Sequence, residues 1–252
     1  MTSELTLFVN PTAGRGRGVH AAQNAARALR DAGFSVRTVL GHDADDALRR
    51  ARAAGAAGTG ALIAVGGDGM ISLALHAVAG TRTPLGIIPT GTGNDVARAL
   101  GLPVRDPAAA ARVTARILRT TGARSVDLGR TRTGGVLVAV ATAARTAGGM
   151  RICADARLDD AYLDVTVVGD CDRRTLLKVF PRVYKGTHLS HPKVTTYRVR
   201  TVTLEAPDTT GHADGEPLGR LPLTVSCVPG ALRVPAPAPG DEPGAGPSTS
   251  PR

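Results

Sequence analysis

The chain has 252 residues, 42% hydrophobic but only 2% aromatic and without Trp, which suits one large domain or two modest ones and excludes a nucleic-acid module built on base stacking. Thirty-one basic against 21 acidic residues leave a net charge of +10, which attracts anionic headgroups or nucleotides without choosing between them. The three lysines are Lys178, Lys185 and Lys193, so no Walker A loop, which needs its Lys, lies in the first 177 residues.

Leu5 to Val9 is a short apolar run that reads as a strand. A glycine-rich loop, Asn10-Pro11-Thr12-Ala13-Gly14-Arg15-Gly16-Arg17-Gly18, follows, and Ala21 to Ala32 is rich in helix formers and closed by Gly33. Phe34 to Leu40 predicts a second strand and Asp45 to Ala54 a second helix. The continuous apolar run Ala61 to Val65 marks a strand buried on both faces. Gly66-Gly67-Asp68-Gly69 comes next, then a helix over Met70 to Ala79. Leu85 to Ile88 predicts a fourth strand, ending in Pro89-Thr90-Gly91-Thr92-Gly93-Asn94-Asp95 and a helix through Leu100. This alternation predicts an α/β unit with a mainly parallel sheet over residues 1–125.

After Val126 the pattern changes. Tyr162 to Val168, Tyr197 to Glu205, Leu221 to Val228 and Ala231 to Val234 read as strands, interrupted by one helix over Arg173 to Tyr184. Residues 126–235 are expected to form an antiparallel, sandwich-like β domain. The Pro-, Gly- and Ser-rich stretch 236–252 is expected to be disordered. Cys153, Cys171 and Cys227 show no CxxC spacing, which argues against a disulfide framework or zinc site and for a reducing cytoplasm. No secretory leader is expected, and no apolar run is long enough to span a bilayer. Contact with a membrane would therefore be peripheral.

Three glycine turns after three strands fall on one edge of the predicted sheet, where open α/β sheets bind ligands. Glycine lets backbone N–H groups approach an anion, and helix starts add favourable dipoles, so a phosphate ligand suits the edge. Each run taken singly is also what a tight βα turn requires. Three together, with Asp68, Asn94 and Asp95 inside them, point to one composite site.

Asn10 to Gly14, Gly66 to Gly69 and Pro89 to Asp95 resemble the three nucleotide-binding motifs of the diacylglycerol kinase catalytic-domain family, which shares its fold with NAD kinases and phosphofructokinases. Gly148-Gly149-Met150-Arg151-Ile152, Leu158 to Asp164, Gly186-Thr187-His188 and His212 to Pro217 agree in order with later segments, so the resemblance covers the chain to about Val234. It implies an ATP- and Mg2+-dependent kinase that phosphorylates the hydroxyl of diacylglycerol or a related lipid at the membrane surface, and it allows a homodimer. No nucleic-acid partner is implied. The resemblance assigns the nucleotide to Asn10, Pro11, Gly14, Gly66, Gly67, Asp68, Gly69, Thr92, Gly93, Asn94 and Asp95. Asp68 would organise phosphate and metal, although a helix N-cap also suits its position. Glu216 would be the base that takes the hydroxyl proton, with Asp214 as its partner; without the resemblance, an acidic hairpin turn is the plainer reading. A structural Mg2+ would sit on the Asp160 carboxylate and the carbonyls of Arg157 and Tyr162.

The chain departs from the family pattern at Met70, where Thr is usual, at Leu73, where Glu is frequent, near Gly41, where a Thr is expected, and at Ala161, where Gly is usual and its absence predicts a strained turn. A segment of several tens of residues expected after Arg130, which helps build the lipid cleft, is missing. Two alternatives to the lipid kinase follow: a nucleotide-binding protein without catalysis, and a kinase of a soluble hydroxyl compound.

Overall fold

The computed structural model describes residues 4–9, 17–41, 43–133, 135–137, 152–153, 156–213 and 216–239. Its first half is a four-stranded parallel sheet in the order β2-β1-β3-β4, formed by β1 (Glu4–Val9), β2 (Ser35–Leu40), β3 (Ala61–Gly66) and β4 (Leu85–Pro89). All six residues of β3 are buried, as its unbroken apolar run requires of a strand covered on both faces. Two helices cover one face, α1 (Arg17–Asp31) and α5 (Pro107–Arg119), whose Ala25, Leu29, Ala111 and Ala115 pack on Leu7, Ile63 and Val65. On the other face α2 (Ala44–Ala56) and α3 (Asp68–Val78) set Ala47, Ala51, Ile71 and Leu75 against Phe8, Leu62 and Ile87. The short α4 (Asp95–Ala99) follows β4.

Helix α5 has no counterpart in the sequence reading, although its signals are present. Asp106 caps it by accepting from the Ala109 N–H at 2.9 Å, and Pro107 occupies the first turn, where its missing N–H costs nothing.

The second half is antiparallel, as expected. The strands β5 (Arg124–Thr131), β6 (Val136–Leu137), β9 (Thr201–Leu204) and β12 (Leu223–Val234) form a sheet in the order β6-β5-β12-β9. Two further pairs are β7 (Leu163–Val168) with β8 (Val194–Val199), and β10 (Thr210–Ala213) with β11 (Glu216–Arg220). Helix α6 (Arg173–Lys185) and a 3₁₀ turn over Thr187–Ser190 connect β7 to β8.

Two details differ from the expected strands. The Tyr197 to Glu205 run divides at Arg200 between two sheets. The two runs ending at Val234 are one strand, β12, whose register shifts between Val228 and Leu232 around Pro229-Gly230; Gly230 adopts φ 61 there.

Val126, Leu128, Leu232 and Val234 of β5 and β12 share one apolar cluster with α3 and β4, so the second half is seated on the first through continuous packing. Ala236 is buried in that same cluster, so packing extends into the stretch read as a tail; residues 240–252 lie outside the described residues. Among the described residues, no helix is long and apolar enough to cross a membrane.

Candidate active site

In the parallel sheet the chain reverses its direction of winding between β1 and β3, the place where open α/β sheets leave a crevice beyond their carboxyl ends. Register aligns these ends: Val9 pairs with Val65, and Gly66 with Pro89. The loops after β1, β3 and β4 therefore leave the sheet side by side. Asn10, Pro11 and Gly14 of the first loop lie outside the described residues. The second and third loops are described in full.

Those two loops are joined by Asp68. Its Oδ2 accepts from the Asn94 N–H at 2.8 Å and its Oδ1 from the Asp95 N–H at 2.9 Å. The N-cap of α3 is Gly67, with no side-chain capping bond, so Asp68 does not cap its own helix. It closes the start of the next one, α4, where a carboxylate also suits the positive helix end. Asn94 holds the left-handed conformation (φ 53, ψ 41) that Asn tolerates better than most residues. Its amide bridges the turn, Oδ1 accepting from the Gly91 N–H at 2.9 Å and Nδ2 donating to the Gly91 carbonyl at 2.7 Å. Arg98 Nε donates to the Gly93 carbonyl at 2.8 Å. Asn94 is buried and holds the loop, while Thr92 is exposed.

The glycines divide into two kinds. A Cβ on Gly91 would come within 2.7 Å of the Gly67 Cα, and one on Gly93 within 2.6 Å of the Asp68 Oδ2. One on Gly66 would meet the Met70 Cβ at 2.5 Å. These glycines are required by contacts inside the chain. A Cβ on Gly69 would meet nothing within 4 Å, and its backbone is not in the left-handed region. Gly91→Ala therefore should destabilise the fold by about 1–3 kcal/mol through overpacking, read by chemical denaturation. Met70 and Leu73 pack against the core cluster, so the polar groups expected at these positions are exchanged for apolar burial.

The loop expected to hold a structural Mg2+ has another arrangement. Asp160 Oδ1 accepts from the Tyr162 N–H at 3.1 Å, and Oδ2 is ion-paired with the Arg198 guanidinium. The neighbouring Asp159 faces Arg157 at 3.3 Å and Arg124 at 3.9 Å. Burial lowers the Arg124 pKa below its ordinary value, and Asp159 opposes that shift. Among the described residues, no group of three His, Cys, Asp or Glu side chains could hold a metal ion. Both carboxylate oxygens of Asp160 thus have partners within the chain, one of them a cation of the protein itself. Ala161 has φ 66, the strained turn that its missing glycine predicts. Asp127 holds this turn from outside: Oδ2 accepts from the Ala161 N–H at 2.6 Å and Oδ1 from the Gly230 N–H at 2.7 Å.

Glu216 opens β11 opposite Ala213, the last described pair of the β10–β11 hairpin. Asp214 lies outside the described residues. His188 is buried and its Nε2 lies 2.9 Å from the Ile152 carbonyl, so it belongs to the interior. Burial raises the Cys153 thiol pKa, which makes it a poor nucleophile.

Residues 4–131 match the family model of the diacylglycerol kinase catalytic domain. Residues 101–236 match that of the YegS C-terminal NAD kinase beta sandwich-like domain. A diacylglycerol kinase of Mycobacterium tuberculosis is 33% identical over 295 aligned positions, covering 92% of this chain and 94% of the relative. A probable lipid kinase YegS-like of Pseudomonas aeruginosa is 28% identical, covering 89% and 92%. The crystal structure of a diacylglycerol kinase from Bacillus anthracis superposes with a TM-score of 0.73 at 17% identity, covering 94% and 98%, and supports the fold. Because 92% of 252 residues is about 232, about 63 of the 295 positions aligned with the mycobacterial relative have no residue in this chain. The chain belongs to the diacylglycerol kinase catalytic-domain family.

Proposed function

We propose that the chain is an ATP-dependent lipid kinase that phosphorylates the hydroxyl of diacylglycerol or a related lipid at a membrane surface, from a cytoplasmic pool. The observation that carries the nucleotide part is Gly69. Neither packing nor backbone conformation requires glycine there, and the residue sits in the first turn of α3, whose N-terminus has no side-chain cap. A bare backbone at an uncapped helix start suits a phosphate. In this reading Gly66, Gly67 and Gly69 face the phosphates. Asn10, Pro11, Gly14, Thr92, Gly93, Asn94 and Asp95 complete the nucleotide site, and Asp68 fixes the loops to one another. Mg2+ would arrive with the nucleotide and neutralise charge on the phosphates. Glu216 would accept the proton of the lipid hydroxyl, with Asp214 beside it. Residues 1–125 would form the nucleotide-binding half and 126–235 the acceptor half, in a chain that also admits a homodimer.

Gly69→Ala separates a ligand role from a packing role. The substitution should leave stability unchanged or raise it by up to about 1 kcal/mol, since Ala is the better helix former. It should weaken ATP binding in calorimetry by at least about tenfold. Unchanged affinity would remove the phosphate from this turn. The catalytic part is tested by incubating the protein with ATP, Mg2+ and a lipid panel in mixed micelles. Phosphorylated lipid is expected. ATP binding with no product on any lipid would favour a nucleotide-binding protein without catalysis, a reading supported by the missing positions.

We further propose that Arg198 serves as the cation of the Asp160 loop. Wild-type stability should then be the same in Mg2+ and in EDTA. Arg198→Ala should lower the melting temperature and make it rise on adding millimolar Mg2+. A wild type stabilised by Mg2+ without nucleotide would restore the ion to this loop.

A further inference from the structure

Helix α6 is built differently from the other helices. Thr175, Val179 and Val183 recur at i, i+4 and i+8 and line an apolar cavity with Val168, Val194 and His188, so this stripe faces the protein. A second apolar stripe, Leu177, Phe180 and Tyr184 at i, i+3 and i+7, is turned away from Thr175 and Val179; Leu177 and Tyr184 face solvent, and Phe180 also borders the cavity at its rim. Leu177 is 74% exposed and Phe180 and Tyr184 are each 49% exposed. The two rings meet edge to face with centroids 6.1 Å apart. Isolated exposed apolar side chains are ordinary, but an aligned row of three with two of the chain's six aromatic residues is not.

The same helix holds Arg173, Arg174, Lys178, Arg182 and Lys185 and no acidic side chain. Arg174, Lys178, Arg182 and Lys185 run beside the apolar stripe at i, i+4, i+8 and i+11. Two of the chain's three lysines are here, after 177 residues without any. Asp172 caps the start by accepting from the Thr175 N–H at 2.8 Å, and hydrogen bonding to the Thr175 side chain, then to its backbone, holds the Asp172 carboxyl pKa below the ordinary value. Gly186 ends the helix in the left-handed conformation. The capped helix is about 20 Å long. An exposed apolar row flanked by cations is the form of a helix that lies in a membrane interface, apolar side among the acyl chains and cations at anionic headgroups.

We propose that α6 docks the protein on an anionic phospholipid surface, with Leu177, Phe180 and Tyr184 inserted and Arg174, Lys178, Arg182 and Lys185 against the headgroups. The charge of the helix selects this occupant over a neutral protein face. The proposal rests on the lipid-kinase reading only for why a membrane is visited. It assigns that visit to a surface remote in sequence from the nucleotide loops.

The test is co-sedimentation of the full chain with vesicles of phosphatidylglycerol mixed with phosphatidylcholine, or of phosphatidylcholine alone, at low and high salt. Binding to the anionic vesicles is expected, and it should weaken with salt. Lys178→Gln combined with Arg182→Gln should reduce it about 30-fold, at roughly fivefold per charge. Leu177→Ser combined with Phe180→Ser should reduce it at least about tenfold. Arg112→Gln with Arg116→Gln on α5 removes the same charge and should change it little. Melting temperatures of the charge variants should stay near wild type, because Lys178, Arg182, Arg112 and Arg116 are exposed; Phe180 also borders the cavity, so binding of the Leu177/Phe180 variant is compared below its own melting temperature. Failure of the wild type to bind anionic vesicles at low salt, or equal loss in the α5 pair, overturns the proposal. So does a dimer that the Leu177/Phe180 changes dissolve while vesicle binding persists. Turnover of a short-chain diacylglycerol dissolved as monomer is read separately. A silent enzyme that still binds vesicles through α6 ends the kinase reading and keeps the docking. An active enzyme whose vesicle binding ignores α6 does the reverse.

Discussion

Glu216→Gln is expected to abolish phosphoryl transfer while leaving ATP binding intact. Phosphoryl transfer asks little covalent chemistry of the protein beyond positioning, charge neutralisation and a group to receive the hydroxyl proton. Gln keeps the length and hydrogen-bonding reach of Glu but cannot accept that proton at neutral pH. General-base catalysis contributes typically ~10²–10⁴-fold, so the loss should be plain in a radiolabel assay on any lipid the wild type turns over. Binding should persist because the proposed nucleotide loops follow β3 and β4, whereas Glu216 opens β11 in the antiparallel half. If the variant turns over as fast as wild type, the base lies elsewhere. If ATP affinity falls with the rate, Glu216 touches the nucleotide rather than the acceptor.

Much of the first half is legible in the sequence because its signals are local. An apolar run of strand length, then glycine, then helix formers is a self-contained pattern, and four such strands appear close to where they are expected. The α5 signal, Asp106-Pro107, is equally local and passes unnoticed because it lies between the two motif-rich regions. The strained turn at Ala161 is legible only through the family resemblance, which implies a glycine at that position. What cannot be read is set by partners distant in the chain. Asp127 reaches Ala161 and Gly230 across 34 and 103 positions, and Arg198 reaches Asp160 across 38. Nothing near Arg198 marks it as the occupant of a loop expected to hold a metal. The glycine motifs show a similar limit. Their spacing suggests a site, yet only the packing around each Cβ position separates Gly66, Gly91 and Gly93, which close contacts within the fold require, from Gly69, whose Cβ position faces open space.

The largest structural effect is expected at Asp68. Its carboxylate is read from sequence as an organiser of phosphate and metal, but both oxygens accept backbone N–H groups of the neighbouring loop. The two roles predict different mutational series. If Asp68 acts mainly by bonding the loops, Asp68→Ala leaves two partly buried N–H groups unpaired and should cost about 2–3 kcal/mol. Asp68→Asn should cost nearly as much, because an amide offers one acceptor and turns its NH2 toward the second N–H donor. Both variants should also weaken ATP binding, since Thr92, Gly93 and Asn94 lose their support. If Asp68 acts only on the ligand, Asp68→Asn should melt with wild type and lose affinity alone. Urea denaturation without nucleotide distinguishes the two, because no ligand can then stabilise the folded state by mass action. The loop-bonding role fails if Asp68→Asn retains full stability. It holds if Asp68→Asn and Asp68→Ala fall together, with the loss present before any ATP is added.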